Sequence, residues 1–417
     1  MRQLQLVTVA VSLLSLTAGS IPTAKPEDVG LSSQRLERIG ESIQRHMDAA
    51  DISGAVTLVA RNGRIAHFEA HGLMDIENKK PMAKDAIFRL ASMSKPVTGV
   101  AILMLVEEGK IRLSDPVSRF IPEFKDPKVV VLKDPARPLP PNGDPDFYTI
   151  PAAREITIRD LLTHTSGFVS GGPGARQANK IAPRNPDDTL ATYIPRLAAV
   201  PLDFQPGSQW TYSPGAAFDT LGRVVEVVSG LTFDQFLKQR IFDPLGMKNT
   251  AFAQPEPNAS RRVTLYRKTS TGLVKPENPN IPVSSTYFSG AGGLSSTAED
   301  YLQFAQMLVN GGQLNGKRLL GPRTVELMAS NHVGDMFNGK LGRPARGMGF
   351  GLSVAVIQDA VAAGLRVSNG SFGWDGAFGT QVWIDPKEKM VTILMIQTQI
   401  GQVQRDFENA VMQAIID

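Results

Sequence analysis

Strand-forming segments lie at the two ends of this chain with a helical, loop-rich stretch between them, and this arrangement limits the folds open to it. Near the start, Ala55–Ala60 and Arg64–Glu69 flank Arg61-Asn62-Gly63, and Asn-Gly between two apolar runs is a strong hairpin signal. Near the end, Gly351–Ile357, Gly379–Ile384 and Met390–Ile396 are rich in β-formers, with Asp385-Pro386-Lys387 as the turn between the last two. A single sheet would have to bring both ends together. Helices are expected at Ser32–Ala49, where Leu36, Ile39, Ile43 and Met47 recur near a 3.6-residue period, from about Ser92 to Glu108, and at Val403–Ile416. At 417 residues the chain suits one large or two closely joined domains.

From Leu113 to about Gly290 the pattern is different. Short helices are expected at Ile158–Thr163, Thr189–Ala199, Gly215–Val228 and Phe233–Phe242. Lys125–Pro151 holds seven prolines, which argues against regular structure there, and Val169–Asp188 lacks apolar periodicity. Long loops in a compact domain usually serve as lids or binding loops.

Composition removes several function classes. With no cysteine, disulfides, thiolate metal sites and a cysteine nucleophile are excluded. The 44 basic and 40 acidic residues are interspersed and form no block that would track a phosphate backbone, so nucleic acid is not an expected partner. Arg2, the apolar run Leu4–Leu16 and the small residues Ala18-Gly19-Ser20 are laid out like a secretory signal peptide over residues 1–20, so export is expected. A surface-packed N-terminal segment is the alternative reading. No later stretch reaches the ~20 apolar residues that a membrane-spanning helix needs.

The chemistry centres on Ser92-Met93-Ser94-Lys95, the single Ser-x-x-Lys of the chain. On a helix, positions i and i+3 share a face, so the Lys95 amine can lie beside the Ser92 hydroxyl. A serine alcohol needs a neighbouring base to become a nucleophile. Alone this spacing arises by chance about once in such a chain. Two further segments add to it: Pro206–Gly215, which presents Tyr212 just before a helix, and Gly373–Gly379, which leads into a late strand.

Together with Phe88–Lys95, Ile156–Gly167, Pro244–Met247 and Gly292–Thr297, these segments resemble the serine β-lactamase and penicillin-binding-protein superfamily. The likeness is to the class C-like branch, and within it to the family VIII carboxylesterases. It implies an α/β (α+β) fold: a mainly antiparallel sheet flanked by helices over residues 28–112 and 291–417, an all-α domain inserted at 113–290, and the active site between them. It further implies Ser92 as nucleophile, Lys95 and Tyr212 as the proton-transfer pair, and the backbone N–H groups of Ser92 and Ala377 as oxyanion hole. Which of Lys95 and Tyr212 takes the proton stays open. No cofactor and no metal are implied, and the expected partner is a small-molecule ester.

Departures from the superfamily pattern bear on substrate. Where β-lactamases and D,D-peptidases carry Lys-Thr-Gly, this chain has Trp374-Asp375-Gly376, and where they carry Tyr-x-Asn it has Tyr212-Ser213-Pro214. The first change removes a cation that helps bind a substrate carboxylate and adds an acidic side chain. Trp374 suits an apolar acyl or alcohol group, so short-chain esters are the expected substrates; Trp374, Asp375 and Gly376 are the candidate binding residues. Transfer of the acyl group to an alcohol, β-lactam or D,D-peptide hydrolysis, and a catalytically silent sensor are the rival readings. His164 is read as part of a structural turn, Trp210 as packing, and His67 and His71 as a surface pair on one strand face.

Overall fold

The computed structural model describes residues 19–134, 136, 146–254, 258–277 and 286–417. All but the last two residues of the signal-like segment 1–20 lie outside these, as do five of the seven prolines of Lys125–Pro151.

The two ends of the chain do meet in one sheet. Its strands are β1 (Gly54–Arg61), β2 (Arg64–Asp75), β3 (Lys80–Pro81), β4 (Met348–Phe350), β5 (Ala355–Ile357), β6 (Phe372–Asp375), β7 (Gln381–Asp385) and β8 (Met390–Met395). They lie in the order β4-β5-β6-β7-β8-β1-β2-β3. Every neighbouring pair is antiparallel. The seam between the early and late segments runs through β1 and β8, in register from Val56 opposite Met395 to Arg61 opposite Met390. Asn62 and Gly63 turn the β1–β2 hairpin with φ of 53° and 72°, the two left-handed residues of a type I′ turn.

Side-chain alternation gives the sheet two apolar faces. Ala55, Val59, Trp383 and Leu394 face a layer built from helices α1 (Ser33–Asp48) and, at the other end of the chain, Gly401–Met412. Val56, Leu58, Val391 and Ile393 face the opposite core, which contains α2 (Lys95–Glu107). Every residue of α2 from Lys95 to Leu105 is buried, so this helix needs apolar side chains all round. On its far side it packs against α3 (Ala216–Ser229) of the central region, and α4 (Ala298–Val309) covers β8 beside it. With the C-terminal Gly401–Met412 helix as α5, the sheet is covered by helices on both faces. Among the described residues no helix is long and apolar enough to cross a membrane.

Several expectations need correction. The proline-rich stretch is regular at both ends: Lys128–Leu132 pairs antiparallel with Phe147–Pro151. Pro151 is the last residue of its strand, a position where a missing N–H costs no internal ladder bond. The single strand expected at Gly351–Ile357 is a hairpin instead. Its first half turns through Gly351–Val354, with Ser353 at φ 76°, so the strands are Met348–Phe350 and Ala355–Ile357. Val169–Asp188 contains two short helical segments, Ala175–Gln177 and Ala178–Ile181. The central region also carries, beside its helices, a second hairpin at Arg267–Thr269 and Gly272–Val274.

Candidate functional site

Ser92 sits in a single 3₁₀ turn, Ala91–Ser94, immediately before α2. Ala91 enters this turn at φ 46°. A non-glycine residue held there costs about 1–3 kcal/mol, so the surroundings must enforce it. They do so through Leu90, whose amide donates to the Leu294 carbonyl (2.9 Å). Met93's carbonyl accepts from the buried Tyr301 hydroxyl (2.8 Å) on α4.

Lys95 is wholly buried, yet each of its three N–H bonds has an oxygen acceptor. Nζ donates to Ser92 Oγ (3.2 Å), to the Pro214 carbonyl (2.9 Å) and to the Ala291 carbonyl (2.9 Å). The i, i+3 spacing therefore yields the side-chain pair expected of it. Pro214, whose lack of an amide donor marked a departure from the superfamily pattern, contributes its carbonyl to this cradle. Ala291 is held by Asp219 on α3: Asp219 Oδ1 accepts from the Ala291 amide (3.1 Å) and Ser289 Oγ (2.6 Å), and Oδ2 from the Tyr287 hydroxyl (2.7 Å). Burial pushes the Asp219 carboxyl up from its usual range, against the pull of those three donors and of Lys95.

Tyr212 lies across Lys95, with Nζ 4.9 Å from its ring centroid. Its hydroxyl is buried and has no hydrogen-bond partner among the described residues. Catalytic hydrogen bonds are often long in unliganded sites and tighten when substrate arrives. The chain on either side of Tyr212 is fixed by His164. The Thr211 amide donates to the His164 carbonyl (3.1 Å), and the Ser213 amide donates to His164 Nδ1 (3.2 Å). The imidazole and phenol rings pack at 4.6 Å. Because Nδ1 accepts, the ring proton belongs on Nε2 and the imidazole is neutral. Burial, and then the Lys95 charge, push its pKa well below the ordinary histidine value. His164 is thus built into the site from behind Tyr212, a placement that the turn motif alone did not reveal.

The late-strand segment forms the facing wall. Trp374 and Asp375 end β6, and Gly376–Gly379 is a tight turn in which Gly376's amide donates to the Thr380 carbonyl (2.8 Å) and its carbonyl accepts from the Gly379 amide (2.9 Å). This turn docks onto the Ser92 turn: Thr380 Oγ1 donates to the Leu90 carbonyl (3.2 Å). Ser92, Tyr212, Trp374 and Ala377 all line one cavity of about 980 Å³. Trp374 is only 2% exposed and offers the cavity little surface. Its ring is wedged between Tyr212 (5.7 Å) and Phe350 (5.2 Å), with the Arg343 guanidinium above it at 5.6 Å.

Asp375 is an anion matched by a cation. Arg343 donates to it through Nη2. Sequence reading passed over Arg343 because it lies in a turn-rich stretch, Asn338–Gly347, that has no strand or helix period. Asp219 was missed because nothing in an amphipathic helix marks one carboxylate as buried. Trp210 is packing as expected, buried to 2% against Phe337 at 4.8 Å. His67 is not a surface residue: it is buried against Thr57 Oγ1 (2.8 Å), and burial lowers its pKa to about 4. No group of three or more potential metal ligands occurs among the described residues.

Comparison with known proteins gives the family and the fold. A family model described as Beta-lactamase matches residues 40–415. An uncharacterised protein of Mycobacterium tuberculosis is 37% identical over 369 residues, covering 85% of this chain and 88% of its own. Esterase EstB of Burkholderia gladioli is 31% identical over 411 residues, covering 92% and 95%. Among solved structures, EstCE1, described as a hydrolase with promiscuous acyltransferase activity, superposes with a TM-score of 0.76 at 30% identity, covering 91% of this chain and 99% of its own. The chain belongs to the Beta-lactamase family and is a serine hydrolase of that fold.

Proposed function

We propose that this protein is a carboxylesterase that cleaves short-chain esters through an acyl-Ser92 intermediate. The observation that carries the reading is the Ser92–Lys95 hydrogen bond (3.2 Å), opening on a cavity whose far wall is Trp374-Asp375. In this scheme Ser92 Oγ attacks the ester carbonyl carbon and its proton passes to the Lys95/Tyr212 pair. The carbonyl oxygen becomes an oxyanion that accepts from the Ser92 and Ala377 amides; one such donor is typically worth about 2.7–4 kcal/mol. Collapse breaks the C–O bond, and the departing alkoxide takes the proton back as alcohol. Water then attacks acyl-Ser92 by the same route, releasing the acid and restoring the serine.

Lys95 already donates to Ser92 Oγ, so the serine's own proton is directed away from the ammonium. This arrangement favours Tyr212 as its acceptor, with Lys95 bonded to the serine and lying over the Tyr212 ring.

The test compares kcat/KM for p-nitrophenyl butyrate and nitrocefin. The ester is expected to be the better substrate, and a higher value for nitrocefin overturns the reading. Ser92→Ala should abolish ester turnover in a folded protein; surviving activity would remove Ser92 from the mechanism. Acyl transfer is a second reading, favoured by a cavity of about 980 Å³ that can hold an alcohol beside the acyl group. Product analysis with a competing alcohol separates transfer from hydrolysis.

A further inference from the structure

Away from Ser92, the cavity carries charge. Asp375 and Glu408 both line it, the first at the end of β6 and the second on α5, as does Arg343 on the loop before β4. Arg343 bonds Asp375 through Nη2 and lies over the Trp374 ring. Its charge also acts on the Glu408 carboxyl, as does that of Arg366, while burial pushes that carboxyl up from its usual range. Arg405 lines the cavity too, but its guanidinium is exposed and bonds Gln402 (2.7 Å).

The loop that delivers Arg343 is compact. Gly339's amide donates to the Pro344 carbonyl (2.8 Å), Arg343's amide to Lys340 (2.9 Å), and Asn338 Oδ1 accepts from Met348 (3.0 Å) at the loop's base. Side-chain exposure of 17% for Arg343 and 30% for Asp375 takes the pair partly out of bulk water, so salt screens it less than a surface pair. Removing one partner would leave the other as an uncompensated charge on the wall of a binding cavity.

We infer that the Arg343–Asp375 pair is a charge filter which makes this cavity select esters whose alcohol group is uncharged. Either residue left alone converts the wall to one that takes an ester of the opposite charge. The inference rests on the esterase reading above and adds the substrate class to it.

The test uses three matched esters: phenyl butyrate, its 3-trimethylammonio analogue and its 3-sulfo analogue. Ratios of kcat/KM to the neutral ester are measured for the wild type, Arg343→Ala, Asp375→Ala and the double variant. Arg343→Ala should raise the cationic ratio roughly tenfold and lower the anionic one, and Asp375→Ala should do the reverse. The double variant and Arg343→Lys should return both ratios close to the wild type's, which also controls for damage to the fold. Ratios that stay within about twofold across all variants, while the wild type turns over the neutral ester, overturn the filter alone. A wild type that cleaves none of the three overturns the esterase reading and the filter with it.

Discussion

Gly376 lies so close to the Leu90 carbonyl that a methyl group built on it would stand 2.2 Å from that oxygen. The Gly376–Gly379 turn and the chain leading into the Ser92 turn therefore touch backbone to backbone, and the gap between them is set by the absence of a side chain. Gly376→Ala must push the Ala377 amide away from Ser92. A loss of about 100-fold in kcat is expected, since small misplacements of reacting groups carry penalties of that size. Steady-state kinetics and a thermal melt check it, and full activity would mean that Ala377 is not an oxyanion donor.

Asp219 accepts from the Ala291 amide, and the Ala291 carbonyl in turn accepts from Lys95. Asp219→Ala removes the acceptor of three donors, two of them buried, at about 1–3 kcal/mol for each buried one left unsatisfied. The protein should melt at lower temperature, and kcat should fall even at temperatures where it stays folded. Asp219→Asn keeps part of the acceptor capacity and should fall between the variant and the wild type. Equal kcat in all three would separate Asp219 from the site.

His164 is expected to act on Tyr212 by position. His164→Gln can still accept from the Ser213 amide, and His164→Leu cannot, so the glutamine variant should retain at least tenfold more activity. A leucine variant as active as the glutamine one would mean that the ring serves packing only.

The same histidine makes stability fall in acid. Its folded pKa lies well below the unfolded value of about 6.5, so the unfolded chain binds the proton first. Stability is unaffected above that pH and is lost as pH falls beneath it, at up to about 1.4 kcal/mol per unit for one such group. His67 acts in the same direction down to about pH 4. Urea unfolding between pH 7 and 4.5 should show a shallower decline for His164→Gln than for the wild type; an identical slope would remove His164 as the cause.

The parts of this molecule legible in the sequence are those governed by local rules. The Asn62-Gly63 turn, the α1 stripe and the Ser92–Lys95 spacing each follow from a few neighbouring residues. What escaped depends on neighbours remote in the chain. Arg343 meets Asp375, and Pro214 meets Lys95, only after the chain has folded back on itself. The Gly351–Ile357 run shows the same limit: an apolar stretch gives strand propensity but not the bend at Ser353, which is imposed by the Leu162 carbonyl accepting from its amide (3.0 Å).

The contact between Thr380 and Leu90 spans 290 positions. At roughly 5–20 residues per second, a ribosome takes on the order of 15–60 s to make that much chain. During this interval β1 has no β8 beside it, and its fully buried row of apolar residues must stay shielded from other nascent chains. The serine thus emerges long before the wall that completes its pocket, and that pocket cannot close until nearly the whole chain has been made.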